Sequence, residues 1–201
     1  IMKWDKEDLL KLASELRKAT KPMIIACNKI DVKGAYENFE KLKKQFPDEI
    51  LVPCSAESEL ALREAAKHSL IDYISGENSF KIKSEQLNEK QKKALEFIKN
   101  NVLEKYGTTG VQDVLNKAVL ELLEQIVVFP VATSKLTDKD GKILPDCLIV
   151  PENTTALDFA FKIHTDIGNN FIKAVNIKTK QIIGKDHLLK NREGVEIVTS
   201  K

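Results

Sequence analysis

Residues 22–31 of the 201-residue chain read PMIIACNKID. The first six are almost wholly apolar, which is typical of a short strand buried on both faces of a parallel sheet. The polar loop Asn28-Lys29-Ile30-Asp31 follows where this strand ends. In open α/β sheets, ligands bind beyond the carboxyl ends of the strands, so the position of these four residues favours a binding loop.

The pattern continues on both sides of this stretch. An amphipathic helix is predicted over residues 5–16, and a second helix over 39–46 leads to another buried strand at 50–54. A third helix is predicted from residue 60 to Gly76. Helix, strand, helix, strand and helix in this order predict an open α/β sheet with parallel strands.

Composition excludes several classes of protein. The 32 basic and 30 acidic residues give a formal charge of +2, so the chain has no polybasic arm for nucleic acid, and no DNA specificity is expected. No apolar run approaches the ~18 residues that a membrane span needs. Cys27, Cys54 and Cys147 form no CxxC pair, and we interpret them as buried thiols of a cytoplasmic protein.

The loop at residues 28–31 has chemistry that suits a guanine base. The Asp31 carboxylate can accept hydrogen bonds from N1–H and the exocyclic amino group of guanine, which adenine does not offer in this pattern. Asn28 can either bond to the base edge or hold the loop, and the stem of Lys29 can lie along the ring face. A site built on such pairing rejects an analogue that leaves its buried polar group unpaired.

A second motif follows Asp31 by 24 residues, where Ser55-Ala56 closes the next buried strand. A small residue here lets a backbone N–H approach guanine O6. Either motif alone is better explained as an ordinary polar loop and a serine N-cap, but the pair after consecutive strands favours a site. The two motifs resemble the fourth and fifth guanine-specificity motifs of Ras-like GTPases, NKxD and SA.

The phosphate-binding motif of such proteins is missing from these residues. No GxxxxGK[ST] occurs, so neither a P-loop nor its Mg²⁺-binding hydroxyl is present. Asp31 to Gly34 and Asp138 to Gly141 both spell DxxG, but the first overlaps the base motif and the second lies in a predicted hairpin. We expect no catalytic residue, no metal site and no turnover by this chain alone, and whether the intact protein is an enzyme stays open.

The remainder of the chain has a different organisation. Residues 77–127 predict a strand-free helical connector with capping boxes at Asn88/Gln91 and Thr109/Gln112. From residue 128 onwards, strands surround one capped helix that runs from residue 155 to 168, which is an α+β pattern.

Residues 148–201 resemble a TGS domain, the small β-grasp module of threonyl-tRNA synthetases, Obg-related GTPases and stringent-response synthetases. The resemblance rests on VPE at 150–152, TALDFA at 155–160 and IHTDIG at 163–168. NKxD, SA, a helical connector and a TGS domain in this order resemble Obg-related GTPases of the YchF type, in an archaeal branch.

This resemblance implies a partial P-loop GTPase (Ras-like) sheet at residues 1–76, the connector at 77–127 and a TGS domain at 128–201. It implies GTP or GDP as ligand and association with ribosomes. It also implies a P-loop and switch regions upstream of Ile1, and Mg²⁺ bound only when that upstream part is present. YchF proteins in the narrow sense carry NxxE and resemble ATP users, whereas Asp31 here favours GTP.

Four lysines of the last region are candidates for RNA contact, namely Lys173, Lys178, Lys180 and Lys185. Alternate residues of a strand share a face, so Lys178 and Lys180 are expected to point together towards RNA phosphates. A solvated sheet edge protected by lysines explains them equally well. The alternative function is therefore a non-catalytic RNA- or protein-binding TGS module, with the α/β part as scaffold.

Overall fold

The computed structural model of the protein describes residues 4–84, 87–131 and 146–200. The chain divides into two compact units, residues 1–118 and 119–201, which we describe separately. The limits predicted from sequence at residues 76/77 and 127/128 stay a prediction.

The first unit begins with an α/β arrangement. Its elements are α1 (Lys6–Thr20), β1 (Ile24–Cys27), α2 (Ala35–Gln45), β2 (Ile50–Pro53) and α3 (Ala56–Lys67). Strands β1 and β2 pair in parallel with Cys27 beside Pro53, as the sequence predicted, so their carboxyl ends lie side by side. The crossover through α2 therefore brings the two candidate loops to the same edge of the sheet.

Burial of this sheet is lower than the apolar sequence of β1 suggested. The strand is half-buried with Ala26 exposed, and α1 contains no buried residue, so that Leu9 and Leu16 are exposed. Two paired strands offer too little surface to cover the apolar side of a helix as well as both faces of β1.

The third helix ends earlier than predicted, at Lys67 instead of Gly76. Ser69 has a left-handed backbone with φ of 58°, which turns the chain out of the helix. Strand β3 (Ile71–Asp72) then pairs antiparallel with β4 (Lys81–Ile82), so the prediction of no strands beyond residue 77 was wrong. A short apolar run such as the one at Ile71 fits helix and strand spacing equally well.

The helical region packs onto α3 inside the same unit. Its elements are α4 (Glu89–Ile98), a π-helical turn (Lys99–Leu103), α5 (Glu104–Tyr106) and α6 (Val111–Asn116). A second π-helical turn (Lys117–Leu122) includes the division at residues 118/119 and belongs to neither unit alone. The predicted capping box of Asn88 and Gln91 is present. One apolar cluster joins α3, β3 and the helices, and its buried members are Leu62, Ile71, Leu87, Leu95, Ile98, Val102 and Leu103.

The second unit is a mixed sheet with a helix against it. Its elements are β5 (Gln125–Val131), β6 (Leu148–Pro151), α7 (Ala156–Ile163), α8 (Thr165–Asn169), β7 (Phe171–Asn176), β8 (Ile182–Ile183) and β9 (Glu193–Thr199). The strand order is β6-β5-β9-β7-β8, with β5 and β9 parallel and the other neighbours antiparallel. Phe159 of α7 is fully buried in the core of this unit.

The helix predicted over residues 155–168 is divided in two. His164 has an extended backbone that ends α7, and its Nδ1 accepts a hydrogen bond from the Asp166 N–H at the start of α8. The predicted hairpin that contains Asp138 to Gly141 has this part outside the described residues.

Candidate functional site

The loops that follow β1 and β2 are joined by hydrogen bonds. The Cys54 N–H donates to the Cys27 carbonyl at 3.0 Å, and the Ile30 N–H donates to the Cys54 carbonyl at 3.1 Å. The Asn28 Oδ1 accepts from the N–H of Lys29 at 2.8 Å and from the N–H of Ala56 at 3.0 Å. One side chain of the first loop therefore fixes the position of the second.

The first loop alternates between buried and accessible residues. Lys29 has a left-handed backbone with φ of 69° and is exposed, whereas Ile30 is only 3% exposed. Asp31 is half-buried, and its carboxylate has no hydrogen bond or ion pair with any part of the chain that the structure describes. The loop thus presents one carboxylate that is free to accept hydrogen bonds.

The second loop starts α3. The Ser55 side chain is completely buried, where its Oγ accepts from the Ser58 N–H at 3.4 Å and donates to the Ser58 Oγ at 2.8 Å. Ala56 is exposed, and its N–H, one of the backbone donors at this motif, already donates to Asn28 Oδ1. The Asn28 Oδ1 thus joins the two loops, and the role of its amide group at a base edge stays a prediction.

A third segment contacts both loops and was missed by the sequence analysis. The Tyr106 hydroxyl donates to the Ile30 carbonyl at 3.2 Å, and the Ser55 N–H donates to the Thr109 carbonyl at 2.8 Å. The predicted capping box of Thr109 and Gln112 was wrong, because Gly110 occupies the N-cap of α6. We call residues 106–110 the bridging segment.

A buried carboxylate anchors the bridging segment. Glu59 is 4% exposed, and its Oε2 accepts from the hydroxyls of Thr109 and Tyr73, each at 2.7 Å. Burial raises the pKa of Glu59, but hydrogen bonds from Thr109, Tyr73 and Ser75 and the charge of Arg63 outweigh it, so the pKa lies below its ordinary value. Burial and the neighbouring carboxylate raise the pKa of Tyr73 to about 12.

The bridging segment lies against the second loop so closely that Gly110 admits no side chain. Gly110 has φ of +78°, and a Cβ atom built on it would lie 2.0 Å from the Pro53 carbonyl oxygen. The sequence signal for this contact was the GTTG break at residues 107–110. That signal indicates a turn but does not tell which part of the chain the turn contacts.

The three thiols differ in exposure. Cys54 is buried and Cys27 half-buried, whereas Cys147 is exposed, so the prediction of three buried thiols was wrong for Cys147. Burial raises the pKa of Cys27 and Cys54. In the described ranges, no group of three or more potential metal-ligating side chains comes together.

The four candidate lysines do not share a strand face. Lys173 lies in β7, but Lys178 and Lys180 lie in the turn after it, and Lys180 has a left-handed φ of 61°. The strand argument for Lys178 and Lys180 was therefore wrong. Lys178 instead lines an open cleft of ≈ 290 Å³ together with Lys190 and Arg192.

No helix in the described part of the chain is both long and apolar enough to cross a lipid bilayer.

Comparisons with known proteins agree with this architecture. The chain is 47% identical over 201 residues to a GTP-binding protein of Methanocaldococcus jannaschii, covering 99% of this chain and 50% of that protein. It is 32% identical over 163 residues to a GTP-binding protein of Schizosaccharomyces pombe, covering 77% of this chain and 40% of that protein. The chain thus spans half or less of the length of these curated relatives.

Solved structures give the same result. A GTP-binding protein from Pyrococcus horikoshii superposes with a TM-score of 0.70 at 38% identity, covering 98% of this chain and 52% of that chain. The YchF GTPase of Schizosaccharomyces pombe superposes with a TM-score of 0.51 at 15% identity, covering 97% and 48%, which shows likeness of fold alone. The region matched in the Pyrococcus horikoshii structure is its C-terminal half.

Two family profiles divide the chain between them. The TGS domain matches residues 135–199, and the profile described as "Obg-like GTPase YGR210-like, G4 motif-containing domain" matches residues 26–133. Because the second match covers more than half of the chain and includes both candidate loops, the protein belongs to the YGR210-like family of Obg-like GTPases.

Proposed function

We propose that the protein binds GTP and GDP, with the guanine base held between the loops that follow β1 and β2. The observation that carries this proposal is that Asn28 Oδ1 accepts hydrogen bonds from the N–H groups of both Lys29 and Ala56. These bonds join the two loops and leave the Asp31 carboxylate free for a ligand. Such a preorganised pair of loops requires little reordering when a base enters.

Each residue has a separate role in this proposal. Asp31 accepts from guanine N1–H and the exocyclic amino group, and the exposed Lys29 lays its stem along the ring. Buried Ser55 sets the start of α3, and guanine O6 shares the Ala56 N–H with Asn28 Oδ1, so the link between the loops is kept. Both protein groups then match guanine and mismatch adenine.

The names of the relatives support the ligand. Two curated relatives are named GTP-binding proteins, and the matched profile is named for a G4 motif. We infer a cytoplasmic protein whose phosphate and Mg²⁺ contacts come from outside these 201 residues and whose TGS domain contacts ribosomes or other RNA. The chain alone is expected to release no phosphate from GTP, because it carries no P-loop sequence.

A chimaera tests the choice of base. The N-terminal half of the Methanocaldococcus jannaschii relative is joined to residues 1–201, and the dissociation constants of GDP and ADP are measured by fluorescence competition. We expect a preference of about 100-fold or more for GDP, since a buried unpaired polar group costs about 1–3 kcal/mol at each mismatched contact. Asp31→Asn should reduce this preference at least tenfold, while the exposed Asp48→Asn serves as the control.

Two results would contradict the proposal. One is a folded chimaera that binds GDP and ADP equally or binds neither. The other is an Asp31→Asn chimaera whose preference for GDP is unchanged, which would favour the non-catalytic module with the α/β part as scaffold. Circular dichroism establishes folding before either result is read.

The cleft of the second unit supports a second candidate function, contact with RNA phosphates. Lys178, Lys190 and Arg192 line it, whereas its acidic lining residue, Glu193, is buried and accepts hydrogen bonds from Asn176 and the Lys190 N–H. The cleft therefore presents cations to an incoming anion. Exposed Lys180 and Lys185 and half-buried Lys173 complete the proposed set of contacts.

Charge reversal tests this second function. Lys178→Glu and Lys180→Glu, singly and together, should weaken RNA binding and flatten its salt dependence, because each phosphate contact releases counterions. Lys162→Glu on the exposed side of α7 changes the same charge away from the cleft and is the control. RNA affinity that falls no more than in the Lys162→Glu variant would exclude the cleft as the contact site.

A further inference from the structure

The bridging segment contacts both candidate loops through their backbones. Tyr106 donates from its hydroxyl to the Ile30 carbonyl of the first loop, and Thr109 accepts at its carbonyl from the Ser55 N–H of the second. The rings of Tyr106 and Tyr36 also lie 6.1 Å apart between centroids, which ties the segment to the start of α2. These contacts use backbone groups of the loops that the link made by Asn28 does not use.

The contact at Ser55 is the stronger constraint. Ser55 is completely buried, so its N–H has no water to replace the Thr109 carbonyl if the segment moves away. The Thr109 side chain is 1% exposed and is fixed by its hydrogen bond to Glu59, which itself belongs to α3. The hydroxyl and the carbonyl of one residue thus attach the segment to both the first turn of α3 and the loop before it.

Gly110 makes this attachment close. Its backbone lies against the Pro53 carbonyl and the Cys54 Cα, so that no side chain fits between the segment and the end of β2. The segment is consequently packed on the second loop over Pro53, Cys54 and Ser55. A displacement of the loop must displace the segment as well.

We propose that Tyr106 and Thr109 are positioning residues of the base site, which couple base binding to the placement of the bridging segment. This inference rests on the proposed function, since it concerns the same two loops. Neither residue needs to touch the base. They act by restricting the loops to the arrangement in which Asp31 and the Ala56 N–H face one ligand.

Coupling of this kind is reciprocal. If the attached segment favours the binding arrangement, a bound base must in turn favour the attached segment by the same factor. The segment joins α5 to α6, so the placement of these helices responds to the occupancy of the base site. The chain thereby carries a route from the nucleotide to the helical part of the first unit.

Matched hydroxyl deletions test the inference. Thr109→Val removes a hydroxyl that donates to Glu59 Oε2, and Tyr73→Phe removes another that donates to the same oxygen at the same distance of 2.7 Å. Only the first lies on the bridging segment, so a purely structural role predicts equal effects. Thr109→Ser restores the hydroxyl, and Tyr106→Phe removes the contact to the first loop.

The first readout is amide hydrogen exchange of the 201-residue chain without nucleotide. Thr109→Val should accelerate exchange at Ser55, and Tyr106→Phe at Ile30, each by about tenfold relative to the Leu62 amide of α3. Tyr73→Phe should leave the exchange rates of Ser55 and Ile30, each divided by that of Leu62, unchanged. Thr109→Ser should return this ratio for Ser55 to its wild-type value. Equal acceleration at Ser55 in Thr109→Val and Tyr73→Phe would overturn the inference.

The second readout is nucleotide choice in the chimaera. Thr109→Val should weaken GDP binding about five- to tenfold and leave ADP binding unchanged, whereas Tyr73→Phe should lower stability without changing the ratio of the two affinities. An unchanged ratio in Thr109→Val would overturn the inference. Failure of the proposed function would be seen in a different result, an Asp31→Asn variant whose preference for GDP over ADP is unchanged. The hydrogen-exchange experiment uses no nucleotide, so it would still test whether Tyr106 and Thr109 position the loops.

Discussion

Two glycines of the bridging segment should respond very differently to the same substitution. Gly107 and Gly110 have nearly the same φ, +80° and +78°, a region that costs an L-residue roughly 1–2 kcal/mol. At Gly107 an added Cβ would meet nothing within 4 Å, whereas at Gly110 it would lie 2.0 Å from the Pro53 carbonyl oxygen and 2.8 Å from the Cys54 Cα. The pair therefore separates backbone strain from close packing.

The expected magnitudes follow from that difference. Gly107→Ala should reduce the free energy of unfolding of the first unit by about 1–2 kcal/mol, the cost of the backbone conformation alone. Gly110→Ala adds an overlap with backbone atoms, which cannot rotate away, and overpacking of this kind costs about 1–3 kcal/mol or more. We expect Gly110→Ala to cost about 1–3 kcal/mol more than Gly107→Ala.

Urea denaturation followed by aromatic fluorescence measures this difference. Trp4 and the three tyrosines, Tyr36, Tyr73 and Tyr106, all belong to the first unit, so their signal reports the unfolding of that unit. Circular dichroism reports both units. Equal fluorescence midpoints for Gly107→Ala and Gly110→Ala would refute the close contact between the bridging segment and the end of β2.

Three further predictions concern buried groups. The pKa of Glu59 is lower in the folded chain than its ordinary 4.5, so the ionised carboxylate stabilises the first unit above pH 4.5. This contribution is lost as the pH falls through the pKa of the folded chain. Glu59→Gln should therefore lower the free energy of unfolding at neutral pH and make it depend less on pH in acid. The raised pKa of Tyr73 should appear in the tyrosinate absorbance as a group that titrates near pH 12, and Tyr73→Phe should lack this group. The contribution of the Tyr73 hydroxyl to the free energy of unfolding should be lost between pH 10.0 and about 12. In α7, Phe159→Ala should destabilise the second unit by about 3–5 kcal/mol in thermal unfolding. Phe161→Ala, at a residue that is 45% exposed, should cost less, about 1–2 kcal/mol.

The two loops of the candidate site could be predicted from sequence, because loops that follow neighbouring parallel strands lie at the same edge of the sheet. Apolar runs around Ile24 and Leu51 predict neighbouring parallel strands, and the ends of such strands share one edge of the sheet. Polar residues that follow both runs must then lie close together. The hydrogen bond between Asn28 and Ala56 is the direct result of that placement.

The bridging segment could not be predicted by the same reasoning. Tyr106 meets a backbone carbonyl 76 positions away, and Thr109 meets a carboxylate 50 positions away and a backbone N–H. Every residue except proline has such backbone groups, so no residue type in the two loops indicates these partners. Thr109 also fits a capping box with Gln112, but a charged, buried acceptor such as Glu59 forms the stronger hydrogen bond.

In the proposed complex, the contact at the Ala56 N–H adds to the selectivity of Asp31. Guanine carries an acceptor, O6, where adenine carries an amino donor. Guanine O6 can share the Ala56 N–H with Asn28 Oδ1, so the link between the loops stays in place. Adenine turns an amino donor towards that N–H and leaves the Asp31 carboxylate unpaired. An unpaired Asp31 carboxylate costs about 1–3 kcal/mol, and Asp31→Asn removes this penalty. The contact between O6 and the Ala56 N–H is kept in that variant, so a reduced but measurable preference for guanine should survive.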